Sequence, residues 1–224
     1  MTFRCIDIET TGTDPARDAI VEIASVDLQR DHSIANLRET LVRPSIPVPP
    51  LASAVHHLID ADLTNAFPIE AVIDKFKNAD AYVAHNCAFE RSFLDRYFGD
   101  AIWVCTYKCA LRVWPDLAGH GNQALRYQFG LVNPLGVDRA KVNPHRALSD
   151  AIVTAAIFFE LTKEASWSEL VQWSYEPALL TYLRFGMHRG ERFDSAPEDF
   201  APFAQTTCCL SVGRTATVKQ WREA

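Results

Sequence analysis

Two acidic side chains, Asp7 and Glu9, interrupt an apolar stretch in the segment FRCIDIETTGTD (3–14). Because alternate side chains of a β-strand share a face, both carboxylates would point one way, while Ile6 and Ile8 point the other way. Two carboxylates this close repel each other, and one tends to take up a proton unless a cation lies between them. Oxygen ligands at this spacing suit Mg²⁺ or Mn²⁺. Two solvated acids at a strand end are the alternative interpretation.

A histidine and a further acid occur together in HRALSD (145–150). If a helix starts near Pro144, His145 lies in its first turn and Asp150 projects from its second. Histidine titrates near neutral pH and can act as a base, and aspartate is another hard metal ligand. A helix-capping histidine and a solvated aspartate would account for the same residues.

A fourth acid, Glu90, lies in AHNCAFERSF (84–93), on the first turns of a predicted helix. The preceding predicted strand ends at His85 and Asn86. Glu90 could add another carboxylate to a metal site. Alternatively, it could pair with Arg91 on a solvated helix face.

Taken in order, the three segments read D-x-E-T-T-G, H-N-x-x-F-E and H-R-A-x-x-D-A. This order resembles the DnaQ-like 3′–5′ exonucleases of the DEDDh type. The resemblance covers about residues 3–162, and IVEIASVDL, LVRP, VHHL, YVAHN and ALRVWP are further similar stretches. It implies a ribonuclease-H-like fold.

The resemblance also implies a catalytic apparatus in which four carboxylates hold two divalent metals, Mg²⁺ or Mn²⁺. Asp7, Glu9 and Asp150 match three of these ligands, and Asp7 would bridge both metals. His145 matches the general base that takes a proton from the attacking water. The 3′-terminal nucleotide would leave as a 5′-monophosphate.

Glu90 departs from the family pattern, which usually has aspartate at this position. The extra methylene moves the carboxylate by roughly 1.3 Å or forces the side chain to fold back, against coordination tolerances near 0.2 Å. Glu90 is therefore predicted as a catalytic residue and metal ligand that binds the second metal less well. We expect an active enzyme that is slower or favours Mn²⁺.

The resemblance extends to candidate substrate contacts, which are Thr10, Thr11, Gly12, His56, Asn86 and Phe89. The Thr-Thr-Gly turn would bring backbone and hydroxyl groups close to the terminal nucleotide. His56 matches a histidine in the family's helical lid region, with an ordinary surface histidine as the alternative. Asn86 and Phe89 could position or stack on the substrate, although Phe89 also has the spacing of a core residue.

Basic residues near these motifs could meet phosphates. Arg139, Lys141 and Arg146 flank His145, and a solvated basic loop is the alternative. Arg189 and Arg192, in the glycine-flanked GMHRGERF, are candidates for holding more distant nucleic acid.

The elements that position these residues follow from apolar periodicity and turn signals. The predicted strands are 3–9, 19–28, 35–44, 81–86 and 101–106, and the first three form an antiparallel meander. The predicted helices are 48–63, 69–78, 87–98, 107–113, 121–129 and 145–165. This order predicts an α/β fold with a mixed five-stranded sheet flanked by helices. The family resemblance implies that this sheet is ribonuclease-H-like. Residues 1–165 would form the exonuclease domain, and 166–224 a small C-terminal extension or accessory module.

Composition narrows the class of protein. A net charge of −6 argues against non-specific coating of nucleic acid, but permits an enzyme that grips a few phosphates. No apolar run approaches the roughly 20 residues of a membrane helix, and no leader precedes the first strand, so we expect a cytoplasmic protein without a membrane partner. None of the six cysteines forms a C-x-x-C pair, which disfavours a zinc knuckle, and Cys5 and Cys105 are predicted to be reduced and buried.

The expected activity is removal of nucleotides from single- or double-stranded DNA 3′ ends during repair or processing. An RNA 3′–5′ exonuclease or a polymerase proofreading subunit is the alternative, because the motifs do not separate DNA from RNA. A third hypothesis is a non-catalytic nucleic-acid-binding module that kept the fold. Its only support is the glutamate at position 90, where the family usually has aspartate. The motifs carry no information on strand preference or oligomeric state.

Overall fold

A mixed five-stranded sheet forms the centre of the chain in a computed structural model, which describes residues 2–29, 31–182 and 190–192. Its strands are β1 (Phe3–Thr10), β2 (Ile20–Leu28), β3 (Ile34–Leu41), β4 (Ala81–Ala84) and β5 (Trp103–Cys105). They lie in the order β3-β2-β1-β4-β5, with β1, β2 and β3 antiparallel and β4 and β5 parallel to β1. The predicted sheet and its antiparallel meander are confirmed.

The helices surround this sheet. They are α1 (Pro50–His56), α2 (Asp60–Leu63), α3 (Ile69–Val72), α4 (Ala88–Phe98), α5 (Thr106–Val113), α6 (Asn122–Gln128), α7 (Ala147–Glu164) and α8 (Trp167–Tyr175). The prediction of one helix over 48–63 is wrong, because the backbone at His57 turns left-handed (φ 62°) and separates α1 from α2. The helix predicted over 69–78 is the short α3 followed by a 3₁₀ turn over Ile73–Phe76.

The start of α7 also differs from the prediction. A helix beginning near Pro144 would include His145, but the backbone there is left-handed (φ 60°) and Arg146 is extended (φ −126°, ψ 126°). Helical geometry therefore begins at Ala147. As a result, His145 precedes the helix and Asp150 lies in its first turn.

The two faces of β1 pack into different cores, as the period of two requires. Cys5 packs with Val26 of β2 and Ile157 of α7. Ile6 and Ile8 pack on the opposite face, where Phe76 and Phe93 belong to the same cluster. Asp7 and Glu9 therefore continue the face that α7 covers.

Helix α8 protects the open edge of β5. The backbone N–H of Cys105 donates to Ser174 Oγ (2.7 Å), and that of Trp103 donates to Tyr175 Oη (3.2 Å). Side chains thus satisfy donors that a neighbouring strand would otherwise bind. Cys5 and Cys105 are buried free thiols, as predicted.

The chain divides into two compact units, Met1–Leu179 and Leu180–Ala224. The first unit contains the sheet and all eight labelled helices, and so runs past the predicted boundary after residue 165. In the second unit, Tyr182 and Arg192 form an antiparallel bridge, with the guanidinium 5.8 Å from the ring centroid. Arg189 lies outside the described residues. In the described part of the chain, no helix is both long and apolar enough to cross a membrane.

Candidate active site

Three of the predicted metal ligands meet at the end of β1. Asp7 and Glu9 project from the face of β1 that α7 covers, and Asp150 reaches them from the first turn of α7. One carboxylate oxygen from each of the three lies within 4.8 Å of the others. This carboxylate cluster has the oxygen chemistry and the spacing that a hard divalent cation needs.

Burial and mutual repulsion raise the pKa values of the carboxylate cluster. The pKa of Asp7 is held well above its ordinary value, first by burial and then by the charges of Glu90 and Asp150. Burial, with Asp150 and Glu22, raises the pKa of Glu9 to about 8, while Arg146 opposes the rise. Carboxyl groups whose pKa values are raised in the absence of a cation fit a site that exchanges protons for metal.

Glu90 lies in the first turn of α4 and is only 3% exposed. The alternative of a solvated helix face is therefore wrong, and Arg91 pairs with Asp95 instead. Burial raises the pKa of Glu90, and Oε2 has no hydrogen-bond partner within the part of the chain that the structure describes. A buried carboxylate oxygen without a partner costs about 1–3 kcal/mol or more. Glu90 stands beside the carboxylate cluster and fits a ligand that acts directly or through water.

Both oxygens of Asp150 are oriented by hydrogen bonds. Oδ1 accepts from Gln123 Nε2 (2.8 Å), and Oδ2 accepts from the backbone N–H of His145 (2.8 Å). The Gln123 carbonyl accepts in turn from Arg126, whose buried guanidinium also donates to backbone carbonyls. The sequence analysis missed Gln123 and Arg126, because a polar residue in a predicted helix gives no sign of which side chain it will meet.

His145 is exposed, and its backbone N–H donates to Asp150 Oδ2. Burial raises the pKa of Asp150, and the backbone hydrogen bond and the charge of His145 oppose that rise, so the imidazole lies near this carboxylate. An exposed imidazole beside the carboxylate cluster can reach both substrate and bulk water.

Glu22 is a fifth acid at this site that the sequence analysis missed. It is the Cα partner of Glu9 on β2 and is 0% exposed. Arg146 donates to both of its oxygens, at 2.5–3.2 Å, and also approaches Glu39 at 3.9 Å. The signal that could have revealed Glu22 is an acid between apolar residues in the largely apolar strand IVEIASVDL. The predicted phosphate contact by Arg146 competes with this ion pair, whereas Arg139 and Lys141 are exposed.

A protein-family model for exonucleases of the RNase T type matches residues 5–158. The chain belongs to this exonuclease family. The DnaQ-like, DEDDh resemblance and the ribonuclease-H-like fold are thereby confirmed, and the protein is an exonuclease.

Individual relatives agree with the family match. Exodeoxyribonuclease 10 of Escherichia coli (strain K12) is 35% identical over 200 residues, which cover 88% of this chain and 86% of the relative. A DNA polymerase III subunit epsilon-like protein of Rhodobacter capsulatus is 32% identical over 173 residues, 72% of this chain but 24% of that protein.

Two solved structures share the exonuclease architecture. Exonuclease X in complex with 5′ overhanging duplex DNA superposes with a TM-score of 0.63 at 33% identity, over 77% of this chain and 99% of the other. The nuclease domain of 3′hExo, a DEDDh family member bound to rAMP, superposes with a TM-score of 0.60 at 16% identity, over 73% and 92% of the two chains. At that lower identity the match concerns the fold alone.

The turn after β1 holds three of the predicted substrate contacts of this exonuclease. Thr10 and Thr11 are buried, and their hydroxyls donate to the Gly12 carbonyl (2.5 Å) and to Asp18 Oδ1 (3.1 Å). A Cβ on Gly12 would lie 2.4 Å from Asp18 Oδ2. Because both hydroxyls donate hydrogen bonds within this segment, we expect the backbone of residues 10–12, and not these hydroxyls, to contact a nucleotide.

The remaining predicted contacts come from α1 and from the end of β4. His56 is buried, so the surface alternative is wrong; Nδ1 accepts from the Leu58 N–H, and Nε2 finds no partner among the residues described. Burial lowers the pKa of His56. Asn86 is exposed in a left-handed conformation (φ 67°). Phe89 is half-buried, and its ring centroid lies 5.3 Å from that of Phe93, so it is partly a core residue.

Proposed function

We propose that this exonuclease hydrolyses DNA from the 3′ end in a metal-dependent reaction and releases 5′-mononucleotides. The main observation that supports this proposal is the carboxylate cluster of Asp7, Glu9 and Asp150, with buried Glu90 beside it. The deoxyribonuclease assignment is supported by a relative named exodeoxyribonuclease 10 that matches nearly the whole chain. A structural relative at 33% identity was solved with duplex DNA.

The four acids would together hold two divalent ions, Mg²⁺ or Mn²⁺. Asp7, at the centre of the repulsion, is the proposed shared ligand, and Glu90 is proposed to act directly or through water. Divalent ions bound there would supply Lewis-acid activation of water and phosphate. The chain itself keeps Asp150 oriented through Gln123 and the His145 N–H.

His145 is proposed as the general base. Its imidazole is exposed beside Asp150, and its backbone is held by that carboxylate, so the ring can accept a proton from the attacking water and pass it to solvent. As the water oxygen forms its bond to phosphorus, the bond from phosphorus to the 3′ oxygen of the penultimate nucleotide breaks. That 3′ oxygen leaves with the shortened strand and ends as its new 3′ hydroxyl, and the phosphate stays on the released 5′-mononucleotide.

The substrate seat is proposed to combine the Thr10–Gly12 backbone with Asn86, Phe89 and His56. Gly12 keeps that turn close to Asp18, and the half-buried ring of Phe89 offers an apolar surface for a base. Arg139 and Lys141 are the exposed cations that we assign to phosphates further along the strand.

RNA 3′ ends are the second candidate substrate, because the motifs do not separate DNA from RNA. A polymerase-associated proofreading role has the support of the epsilon-like relative, of which this chain matches only 24%. We assign the activity to DNA repair or processing in the cytoplasm, where the buried free cysteines would stay reduced.

One assay tests the proposal. The purified protein is incubated with 5′-labelled single-stranded DNA, duplex DNA or RNA, in Mg²⁺, Mn²⁺ or EDTA. We expect stepwise shortening of DNA from the 3′ end that EDTA abolishes. Asp7→Ala should be inactive, whereas Asp74→Asn, at an exposed acid of a local ion pair, should match the wild type. Intact substrates in every metal, alongside measurable binding, would instead indicate a nucleic-acid-binding module.

A further inference from the structure

Glu22 occupies an unusual place for a carboxylate. Strand β2 is buried along its whole length, and Glu22 within it is 0% exposed. A buried charge costs several kcal/mol unless it is paired and hydrogen-bonded. Here the partners come from a segment 124 residues further along the chain, where Arg146 donates to both carboxylate oxygens. The backbone N–H of Ala147 donates to Glu22 Oε2 (3.0 Å).

The Ala147 contact makes Glu22 a cap for α7. The first N–H groups of a helix lack acceptors within the helix, and the side chain of a preceding residue commonly supplies one. Arg146 occupies that preceding position and makes no side-chain cap, because it has no acceptor atom. Glu22 supplies the acceptor from β2, and its negative charge also suits the positive end of the helix.

This cap lies between the two functional residues of the HRALSD segment. Arg146 and Ala147 directly follow His145, and Asp150 projects from the same helical turn. On the other side, the Cα of Glu22 pairs with that of Glu9 across the sheet. Glu22 thus connects the strand pair that presents Glu9 to the helix start that presents His145 and Asp150.

Arg146 also gives the neighbouring acids Glu22 and Glu9 different roles. Acids opposite each other on paired strands repel, and Glu39 adds a third negative charge nearby. The bidentate ion pair neutralises Glu22, while Glu9 lies in the carboxylate cluster. The cluster can then hold a cation without Glu22 competing for it.

We propose that Glu22 is a positioning residue of the active site, and that Arg146 works with it to set Asp150 and His145 against Asp7 and Glu9. This inference rests on the proposed function of the carboxylate cluster. It assigns Arg146 to the helix start, and not primarily to phosphate binding.

The test compares Glu22→Gln with a matched control, Asp27→Asn. Asp27 lies on the same strand, is 2% exposed, and receives two hydrogen bonds from buried Arg4, at 2.6 and 3.0 Å. Both variants lose a buried ion pair, so both should unfold at lower temperature. The affinity for Mn²⁺ is measured by titration calorimetry, and kcat and KM are measured well below either melting temperature.

We expect Glu22→Gln to weaken Mn²⁺ binding and to lower kcat, each by about 10- to 100-fold, with KM changed less than about twofold. Asp27→Asn should keep wild-type values of all three per folded molecule. Adding Arg146→Gln to Glu22→Gln should cause little further loss, because both residues serve one contact.

Equal Mn²⁺ affinity and kcat in Glu22→Gln and Asp27→Asn would overturn the inference while leaving the proposed function intact. Failure of the wild type to bind Mn²⁺ or degrade any substrate would overturn the proposed function and the inference together. If Glu22→Gln does not fold, Arg146→Lys decides, because lysine keeps the charge but loses the bidentate geometry. It should lower Mn²⁺ affinity several-fold, and wild-type affinity in that variant would equally overturn the inference.

Discussion

Glu9 and Glu22 lie opposite each other on the antiparallel strands β1 and β2, and Arg146 forms a bidentate ion pair with Glu22. Glu9 instead shares the carboxylate cluster with Asp7 and Asp150. Glu22 therefore caps the start of α7, while Glu9 contributes to a repulsion between carboxylates that a bound cation would relieve. The predictions below follow from that repulsion and from the residues around it.

Metal-free stability should fall as pH rises between 6.5 and 8. The pKa of Glu9 is raised from 4.5 to about 8 on folding, so the folded state binds more protons in this range and its stability is lost as those protons leave. Burial lowers the pKa of His85 from 6.5 to about 4, which adds stability with rising pH only below 6.5. Thermal unfolding in EDTA at several pH values measures this trend.

The same scan with Mg²⁺ and with Glu9→Gln provides the controls. Because metal replaces the protons, Mg²⁺ should raise the melting temperature more at pH 8 than at pH 6.5. Glu9→Gln should flatten the metal-free pH dependence. A wild-type protein that gains stability between pH 6.5 and 8 in EDTA would contradict the prediction.

Asp7→Asn should separate activity from stability. Removing the most strongly repelled acid should stabilise the metal-free protein at pH 8 by about 1–2 kcal/mol. The same change should reduce kcat by about 10³-fold or more, because the proposed shared ligand is lost. Chemical denaturation in EDTA and a nuclease assay in Mg²⁺ check the two effects, and an unchanged or lower stability would count against the repulsion described for Asp7.

Glu90→Asp should change the metal preference. Shortening the side chain restores the length usual in the family, so we expect the rate in Mg²⁺ to rise about tenfold relative to the rate in Mn²⁺. The lost methylene in a buried position should cost about 1 kcal/mol of stability. Glu90→Gln, which keeps the length without the charge, should lose activity in both metals. Identical rates of Glu90→Asp and wild type in both metals would exclude a ligand role that depends on length.

His145→Asn should remove the base and keep the backbone. Asparagine tolerates the left-handed conformation (φ 60°) found here, and its N–H can still donate to Asp150. We expect kcat to fall by about 10²- to 10⁴-fold, with the melting-temperature rise caused by Mn²⁺ unchanged. A large loss of that Mn²⁺ effect would show that His145 acts on the metal site and not as a base.

Gly12→Ala should weaken substrate binding. The new Cβ would lie 2.4 Å from Asp18 Oδ2, and that carboxylate is held by the Thr11 hydroxyl and the Asp14 N–H. The turn must shift, so we expect KM to rise about tenfold while metal affinity is unchanged. Gly119→Ala, whose Cβ would meet only an ordinary 3.4 Å contact, is the control. A wild-type KM would remove this turn from the proposed substrate seat.

Short-range patterns accounted for much of the fold and for part of the site. The period of two along β1 placed Asp7 and Glu9 on one face, because alternation depends only on neighbouring residues. Apolar runs and turn residues predicted all five strands and helical structure in the regions of α1 to α7, whereas α8 was not predicted. The helix ends were predicted less accurately than the helices themselves. The break at His57 and the start of α7 at Ala147 depend on backbone dihedral angles, which apolar periodicity does not encode.

The sequence by itself determined which chemical groups this protein carries and in what order. That was enough to predict four acids and a histidine as candidate site residues, but not Glu22. Only the tertiary structure decided their surroundings. It buried Glu90 without a partner for Oε2, and it paired Glu22 with Arg146 across 124 positions. The physical reason is that burial and charge pairing depend on which distant elements pack together, whereas strand and helix periods act over only a few residues.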